Sequence, residues 1–254
     1  MRIVFLGTGT SQGIPVIGSS HPVCLSDDPK DTRFRVSVLV QWEGHNFVID
    51  CGPDFRQQML RNPIDSLDAI LFTHEHSDHT AGLDDVRPFY FRQGDVPLFA
   101  HQRVLDALKR RYDYIFTDGE KYPGVPTLST HAITKDRTFD VMGKQVVPIE
   151  AMHADLPILG FRLGGFTYLT DVKTISVTEM EKLKGTEVLV INALRHESHR
   201  SHLNLNEALD IITELQPKKA YLTHISALLG FHEEVSKTLP KNVFLAYDNL
   251  VVDL

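Results

Sequence analysis

Residues 73–79, with the sequence THEHSDH, directly follow the apolar run AILF at residues 69–72. Three imidazoles and two carboxylates therefore stand within seven residues, next to a run with the composition of a buried strand. No helical spacing of apolar residues continues through the stretch, so we expect its side chains to project from a loop at the carboxyl end of that strand. Such a density of histidine and aspartate indicates a metal site, and a solvated polar loop is the alternative.

The overall composition limits the class of protein. The chain has 254 residues, 42% of them hydrophobic, and a formal net charge of −7. This length suffices for one large core, so we expect a single domain over residues 1–254. The acidic balance argues against a stable complex with a nucleic acid, because affinity for the phosphate backbone requires clustered Lys and Arg. It does not exclude a phosphate-ester substrate, because metal ions can supply positive charge locally.

Cysteine usage and hydropathy indicate the compartment. Only Cys24 and Cys51 are present, which is typical of a reducing environment. The apolar start at residues 1–7 has no small-residue cleavage region after it, and no run approaches the length of about 18 apolar residues that a membrane span requires. We expect a soluble, cytoplasmic protein without a membrane partner.

Strand-like and helix-like segments alternate through two halves of the chain. Apolar runs predict strands at residues 3–6, 36–42, 46–50, 69–72, 97–100, 145–152, 159–163, 166–170, 188–193, 220–223 and 243–252. Amphipathic spacing and breakers predict helices at residues 55–61, 102–112, 176–184, 206–215 and 233–239, and one beginning within 81–86. Two such halves indicate an α/β protein with two packed sheets and helices outside.

Three segments have no regular pattern. Residues 7–13, GTGTSQG, form either a tight turn or a loop that borders the active site with backbone amides near an anion. Residues 19–35 are rich in Ser, Pro and Asp and are expected to run over the surface. Residues 113–140 are aromatic and proline-containing, and are either a lid over the site or a peripheral insertion.

The close spacing of the ligands in residues 74–79 favours two metal ions over one. Four ligands from a short loop cannot all converge on one tetrahedral ion without strain, so His74 and His76 are expected at one ion and Asp78 and His79 at its neighbour. A bridging carboxylate such as Asp171 would hold the ions about 3.5 to 4 Å apart and leave a place for a shared water. Such a water has a pKa near neutrality and attacks an electrophilic phosphorus or carbonyl carbon.

Each ion needs further ligands, and candidates follow three predicted strands. His153 follows residues 145–152, Asp171 follows residues 166–170, and His224 follows residues 220–223. Each taken alone could be an ordinary half-buried side chain, but the three together with the first motif predict a complete binuclear site.

At this point the sequence resembles a known family. THEHSDHTAGL at residues 73–83 resembles the metal-binding signature of the metallo-β-lactamase superfamily. LGTGTSQGIP at residues 6–15, GLDD at residues 82–85 and LTHIS at residues 222–226 resemble the PhnP-type phosphodiesterases, relatives of the RNase Z nucleases that process tRNA 3′ ends. The resemblance covers nearly the whole chain and implies a four-layer αββα sandwich, the metallo-β-lactamase fold, with two divalent ions, zinc or manganese.

The resemblance also implies roles for individual residues. It implies that Asp50 orients the ligand loop from behind. It implies that His202 faces the leaving group. His196 and His199 lie close by and are the alternatives, but only His202 stands in the family-like context SHLNLN, so we expect the other two to be surface residues. Catalytic roles fall to Asp78 and His202. The implied ligand sets are His74, His76 and His153 for one ion, Asp78, His79 and His224 for the other, and Asp171 between them.

One departure from the family concerns a separate structural zinc. PhnP-type enzymes often hold it with a C-x-C-x-x-C cluster and a histidine three residues past the last active-site ligand. Ser19, His21, Cys24 and Ala227 occupy those positions here. The two remaining ligands are too few for a closed tetrahedral site, so we predict no structural zinc.

We therefore predict a binuclear metal-dependent phosphodiesterase in which a metal-bridging hydroxide attacks a small or cyclic phosphodiester. The expected partner is a small phosphodiester or nucleotide-like substrate. A thioesterase or lactonase on the same scaffold and an RNA-processing nuclease are the alternatives, and a non-catalytic binding protein fits less well because all seven candidate ligands are present. A homodimer is the commonest soluble assembly and stays open.

Overall fold

The computed structural model describes residues 1–117, 119 and 121–254. Two mixed sheets make up its centre. The first sheet comprises β1 (Arg2–Gly7), β2 (Ser37–Trp42), β3 (His45–Ile49), β4 (Ala69–Leu71), β5 (Leu98–Ala100), β6 (Thr130–Ala132) and, last in the chain, β15 (Val251–Asp253). The second comprises β7 (Phe139–Val141), β8 (Lys144–His153), β9 (Leu156–Leu163), β10 (Phe166–Tyr168), β11 (Thr174–Ile175), β12 (Val188–Asn192), β13 (Lys219–Thr223) and β14 (Val243–Leu245).

Helices flank the two sheets. They are α1 (Phe55–Arg61), α2 (Ser77–Thr80), α3 (Arg87–Gln93), α4 (Gln102–Arg111), α5 (Asp113–Phe116), α6 (Val177–Leu183), α7 (Leu205–Leu215) and α8 (His232–Ser236). Short 3₁₀ turns occur at Pro22–Leu25, Leu83–Val86 and Ala227–Leu229. Among the described residues, none of the helices is long and apolar enough to cross a membrane.

The strand order places the carboxyl ends of parallel strands together. The first sheet has the order β15-β1-β2-β3-β4-β5-β6, and β3 to β6 are parallel. The second has the order β11-β8-β9-β10-β12-β13-β14, with β7 beside β8, and β10, β12, β13 and β14 are parallel. Because ligands in open α/β sheets gather outside the carboxyl ends of the strands, this edge is where a site is expected.

Three apolar clusters separate the four layers. In β1, Phe5 belongs to the cluster between the sheets, whereas Leu6 belongs to the cluster that packs against α1, α3 and α4. This alternation follows from the two-residue period of a strand, and both faces of β1 are therefore buried. A third cluster joins the second sheet to α6 and α7 through Leu183 and Ile212. The arrangement confirms the αββα sandwich.

Several predicted boundaries need correction. Residues 77–80 form the one-turn helix α2, so Asp78 and His79 do not project from a loop as expected. The Thr80 hydroxyl donates to His76 O at 2.9 Å, and this local bond favours the helical turn. The helix expected from residue 81 is a 3₁₀ turn followed by α3, and residues 113–140 contain α5, β6 and part of β7. Asp118 and Glu120 of that segment lie outside the described residues.

Candidate metal centre

Three strand ends at the shared edge have an unusual backbone. Asp50 follows β3, Asp171 lies three residues past the end of β10, and His224 follows β13, with φ angles of 63°, 59° and 54°. A left-handed backbone is uncommon for residues other than glycine and costs about 1 to 3 kcal/mol where it is strained. Such conformations concentrate at functional sites.

Asp50 anchors the first ligand stretch from behind. Its Oδ1 accepts a hydrogen bond from the Thr73 amide at 2.9 Å, and its Oδ2 lies 2.7 Å from His79 Nδ1. Asp50 and His79 are both fully buried. The contact holds the His79 ring so that its Nε2 faces the opposite side, toward Asp78 and Asp171.

Asp171 lies at the centre of the cluster. Its Oδ2 is 3.2 Å from His79 Nε2, and its Oδ1 is 3.2 Å from His224 Nε2 and 3.6 Å from His202 Nδ1. Asn192, at the end of β12, holds the adjacent backbone because its side chain bonds both the amide and the carbonyl of Val172. Asn192 has no counterpart among the predicted site residues.

The remaining candidate ligands lie around this centre. Asp78 Oδ2 is 3.3 Å from His79 Nε2 and 3.8 Å from His224 Nε2. On the other side, His74 Nε2 and His76 Nδ1 are 3.0 Å apart, and the rings of His76 and His153 are 5.3 Å apart between centroids.

His153 Nδ1 faces two backbone carbonyls, those of Asp171 at 2.9 Å and Ser201 at 3.0 Å. These acceptors favour the tautomer with the proton on Nδ1, which leaves Nε2 as the lone-pair nitrogen. The structure thus brings all seven predicted ligands into one cluster. Glu75, the other carboxylate of residues 73–79, instead pairs with Arg103 of α4 at 2.8 Å.

The geometry of the cluster fits divalent ions. Buried nitrogens of His79, His202 and His224 have no hydrogen-bond partner among the described residues. One potential metal-binding group comprises Asp78, His79, Asp171 and His224, and another comprises His153, Asp171 and His202. Within each group the ligand atoms lie within 4.8 Å of one another, and Asp171 belongs to both. Unpartnered buried polar atoms are costly, so a cation is the natural partner for them.

The pKa shifts within the cluster also favour the binding of a cation. Burial would raise the pKa of Asp171, but the His224 and His79 imidazoles outweigh it and hold that pKa well below its usual value. Burial lowers the pKa of His74 well below 6.5, and nearby His79 lowers it further. The pKa of His79 is raised, because Asp171, Asp50 and Asp78 together outweigh its burial. A metal ion would replace this proton, since ligand imidazoles bind in the neutral form.

His202 lies beside the cluster, as its predicted role requires. Its ring centroid is 4.6 Å from that of His153 and 4.8 Å from that of His224. Burial and the neighbouring His224 lower the pKa of His202 to about 3. His196 is exposed, as expected, with Nε2 2.9 Å from Leu229 O. His199 is only half-exposed and its ring is 5.0 Å from that of His202, so it lies nearer to the site than a surface residue would.

The residues at the family's structural-zinc position make other contacts. His21 Nδ1 accepts a hydrogen bond from the Val23 amide, and Cys24 Sγ accepts one from the Val16 amide. Ala227 packs in a small apolar cluster with Val23. That no zinc binds there stays a prediction.

Known proteins share this fold and much of this sequence. A family model described as the beta-lactamase superfamily domain matches residues 45–225. A crystal structure described as a new diphosphatase from the PhnP family is 38% identical with a TM-score of 0.93, and the alignment covers 100% of this chain and 97% of that one.

Two curated relatives are longer than this chain. A protein of Porphyromonas gingivalis (strain ATCC BAA-308 / W83) named octanoyltransferase is 41% identical over 98% of this chain and 51% of its own length. A ribonuclease Z of Mycobacterium sp. (strain KMS) is 28% identical over 59% of this chain and 56% of its own length. The chain therefore spans only about half the length of these relatives.

The fold and the cluster of candidate ligands together place this chain in the class of metal-binding hydrolase domains. The chain belongs to the metallo-β-lactamase superfamily and, within it, to the PhnP family.

Proposed function

We propose that this protein is a binuclear metal-dependent phosphodiesterase that cleaves a small or cyclic phosphodiester. The observation that carries the proposal is the position of Asp171, whose carboxylate belongs to both potential metal-binding groups. A shared carboxylate is the usual device for holding two cations side by side, and paired cations suit in-line displacement at phosphorus.

The residues divide into two ligand sets around Asp171. His74, His76 and His153 would hold one divalent ion, and Asp78, His79 and His224 would hold the other. His202, which shares a potential metal-binding group with His153 and Asp171, is assigned to the leaving group and not to the metal. Their histidine and carboxylate atoms suit zinc or manganese. When bound, the ions would supply a water of lowered pKa and positive charge for the phosphoryl oxygens. Asp50 keeps the His79 ring oriented for this purpose through the contact with Nδ1.

His202 is proposed to assist the leaving group. Its imidazole is nine-tenths buried beside the cluster, and its Nδ1 has no hydrogen-bond partner among the described residues. In the neutral form that its low pKa favours, the ring keeps one N–H group that can donate to the departing oxygen. Stabilising that oxygen matters most for alkoxides, which are poor leaving groups.

Substrate comparison tests the proposal directly. The metal-loaded protein should hydrolyse the phosphodiester bis(p-nitrophenyl) phosphate. Its activity toward an acyl thioester and toward a lactone should be much lower. The likeness to a protein described as a diphosphatase from the PhnP family supports this expectation, because a diphosphatase breaks a bond at phosphorus. Activity confined to the thioester or the lactone would overturn it.

A second candidate is acyl chemistry on the same scaffold. It is favoured by the relative named octanoyltransferase, a name that denotes an acyl group. The matched region is only about half of that relative. The unmatched half could carry the named activity, and in that case the name would say nothing about this chain. Hydrolysis of an octanoyl thioester by this chain would support the acyl candidate. Cleavage of a precursor tRNA as fast as a small diester would instead support the nuclease alternative.

A further inference from the structure

Helix α4 contacts the ligand stretch of residues 73–79 through Arg103, which also contacts the second sheet. Arg103 Nε and Nη2 donate to the two carboxylate oxygens of Glu75, at 2.8 and 3.1 Å. The same Nη2 donates to the carbonyl of Pro157 in β9 at 2.6 Å. The Arg103 amide donates to His101 Nδ1 at 3.2 Å, so the first turn of α4 is capped where this side chain begins. One guanidinium therefore bridges the loop after β4 of the first sheet and β9 of the second.

Both ends of this bridge lie next to candidate metal ligands. Glu75 stands between the first two histidines of the ligand stretch. Pro157 pairs with Met152 across the β8–β9 hairpin, and Met152 directly precedes His153. These three histidines form one proposed ligand set, with two members from the first sheet and one from the second. The affinity of that set for an ion therefore depends on how the two sheets are held at this point.

His76 is the least anchored of the seven candidate ligands. It is exposed, whereas the other six are buried or half-buried. Asp50 holds the ring of His79, and two backbone carbonyls hold that of His153. Within the described residues, the only hydrogen-bond contact of the His76 ring is with another candidate ligand, His74, at 3.0 Å. The position of His76 is therefore set by its backbone rather than by contacts of its ring.

Side chains of α4 hold the backbone on both sides of His76. Arg111 Nη2 donates to the Glu75 carbonyl at 3.3 Å, and Arg111 Nη1 donates to the Thr80 hydroxyl at 2.6 Å. The Thr80 hydroxyl in turn donates to the His76 carbonyl at 2.9 Å. Among these contacts of α4, only those of Arg103 continue to the second sheet. Arg103 therefore relates the position of His76 to the sheet that carries the third histidine of the set.

The pair of Glu75 and Arg103 is suited to fixing geometry. Two hydrogen bonds between a guanidinium and a carboxylate determine orientation as well as distance. The side chains of Arg103 and Glu75 are 32% and 21% exposed, and an ion pair that is open to solvent contributes little to stability. The bridge therefore matters more for the positions of the ligands than for the free energy of unfolding.

We propose that Arg103 and Glu75 are positioning residues that together hold His76 and His153 at the spacing that one metal ion requires. The first ligand set is that of His74, His76 and His153, and the second is that of Asp78, His79 and His224. The proposal rests on these proposed sets and not on the nature of the substrate. The members of the second set are buried or half-buried, and Asp50 anchors that set from behind, so its affinity should be nearly independent of the bridge.

Zinc titration against a competing chelator tests the proposal without turnover. In Arg103→Gln, the dissociation constant of the first set should rise about 10-fold and that of the second should stay within about threefold, the lower range for replacing a residue that orients ligands. Anomalous scattering from crystals grown at limiting zinc identifies the set that has lost occupancy. Equal losses from both sets, or no loss from either, would overturn the proposal.

Variants at the other end of the bridge separate a joint action from two independent ones. Glu75→Gln should lower the affinity of the first set as much as Arg103→Gln does. The double variant should lose little more than either single variant, because the same bridge is broken in all three proteins. Arg103→Lys retains the charge without the planar fork and should recover part of the affinity. Additive losses in the double variant would contradict a bridge.

Arg110→Gln is the matched control. Arg110 is an exposed arginine of the same helix, and its replacement should leave both dissociation constants unchanged. The metal-free variants should melt within a few degrees of the wild-type protein, whereas the stabilisation by added zinc should be smaller in Arg103→Gln. A purely structural role would lower the metal-free melting temperature and leave the zinc dependence unchanged. If Arg103→Gln does not fold, Glu75→Gln and Arg103→Lys provide the same test.

The metal measurements also distinguish this proposal from the proposed function. A wild-type protein that binds two ions but hydrolyses no phosphodiester would contradict the proposed function, and selective loss of the first ion in Arg103→Gln would still support the bridge. A wild-type protein that binds no ion at the first set would overturn the bridge.

Discussion

His79 Nδ1 and Asp50 Oδ2 are 2.7 Å apart in a site where neither side chain is exposed. Twenty-nine positions separate the two residues in the chain, and they meet because β3 and β4 are parallel neighbours. The contact links the backbone of the first sheet to the orientation of a proposed metal ligand. It follows that Asp50 should control metal affinity without touching the metal.

Asp50→Asn should weaken metal binding about 10- to 100-fold, as is usual when the partner of a ligating histidine is changed. Asparagine has a similar shape and tolerates the left-handed backbone at this position, so the fold should be retained. Metal affinity is measured by competition with a chelator, and folding by circular dichroism. Asp253→Asn, at an exposed strand far along the chain, is the control. Unchanged affinity in Asp50→Asn would refute the orienting role.

Asp171→Ala should lose both ions and all activity, because its carboxylate is common to the two ligand groups. Metal content per chain, measured by plasma emission spectrometry, gives the result directly. Asp155→Ala removes a carboxylate that is 95% exposed and should retain two ions. If Asp171→Ala still binds two ions per chain, the bridging role is wrong.

His202→Ala should retain its metal and lose about 10²- to 10³-fold in rate toward diesters with poor leaving groups, the range for removing one hydrogen-bond donor to a developing oxyanion. The loss should be smaller for p-nitrophenyl esters, whose leaving group needs little assistance. The measurement is kcat/KM across a series of aryl and alkyl diesters. His196→Ala, an exposed imidazole in the same segment, is the matched control. A uniform loss across the series would contradict the proposed role.

His232 should make the stability of the fold depend on pH. Its Nδ1 lies 3.2 Å from the guanidinium of buried Arg33, which donates to it, so protonation would place two cations in contact. Burial lowers the pKa of His232 to about 4, with further lowering by Arg33 and Lys30 and an opposing effect of Asp28 and Asp31.

The direction of the pH effect follows from this lowered pKa. Below pH 6.5 His232 binds a proton in the unfolded chain, whereas in the folded chain it does not bind one until about pH 4. The contribution of neutral His232 to the free energy of unfolding is therefore complete above pH 6.5 and is lost as the pH falls toward 4. Urea unfolding of the metal-free wild-type protein and His232→Gln at pH 7.5 and 4.5 measures the difference. The wild-type protein should lose about 2 to 3 kcal/mol more than the variant over this interval. Parallel losses would show that His232 is not responsible.

The sequence alone predicted the elements that have strong local patterns. The continuously apolar run at residues 188–193 corresponds to β12, and the amphipathic spacing at residues 102–112 corresponds to α4. Boundaries differ by a few residues where hydrogen bonds rather than hydrophobicity end an element, as at α2, where the Thr80 hydroxyl bonds the His76 carbonyl. Whether a segment forms a helix or a strand depends mainly on the spacing of its own apolar residues, so it can be predicted from that segment alone.

The candidate ligands were likewise predicted from the sequence, because metal-binding chemistry depends on residue type and on position after a strand. Only the tertiary structure decided which of these side chains contact each other. Asp50 meets His79 because β3 pairs with β4, and the backbone of Asp78 packs against Gly52, where a side chain would collide with it. These contacts depend on which strands pair and on the space that a missing Cβ leaves, and neither is encoded in any single stretch of the chain.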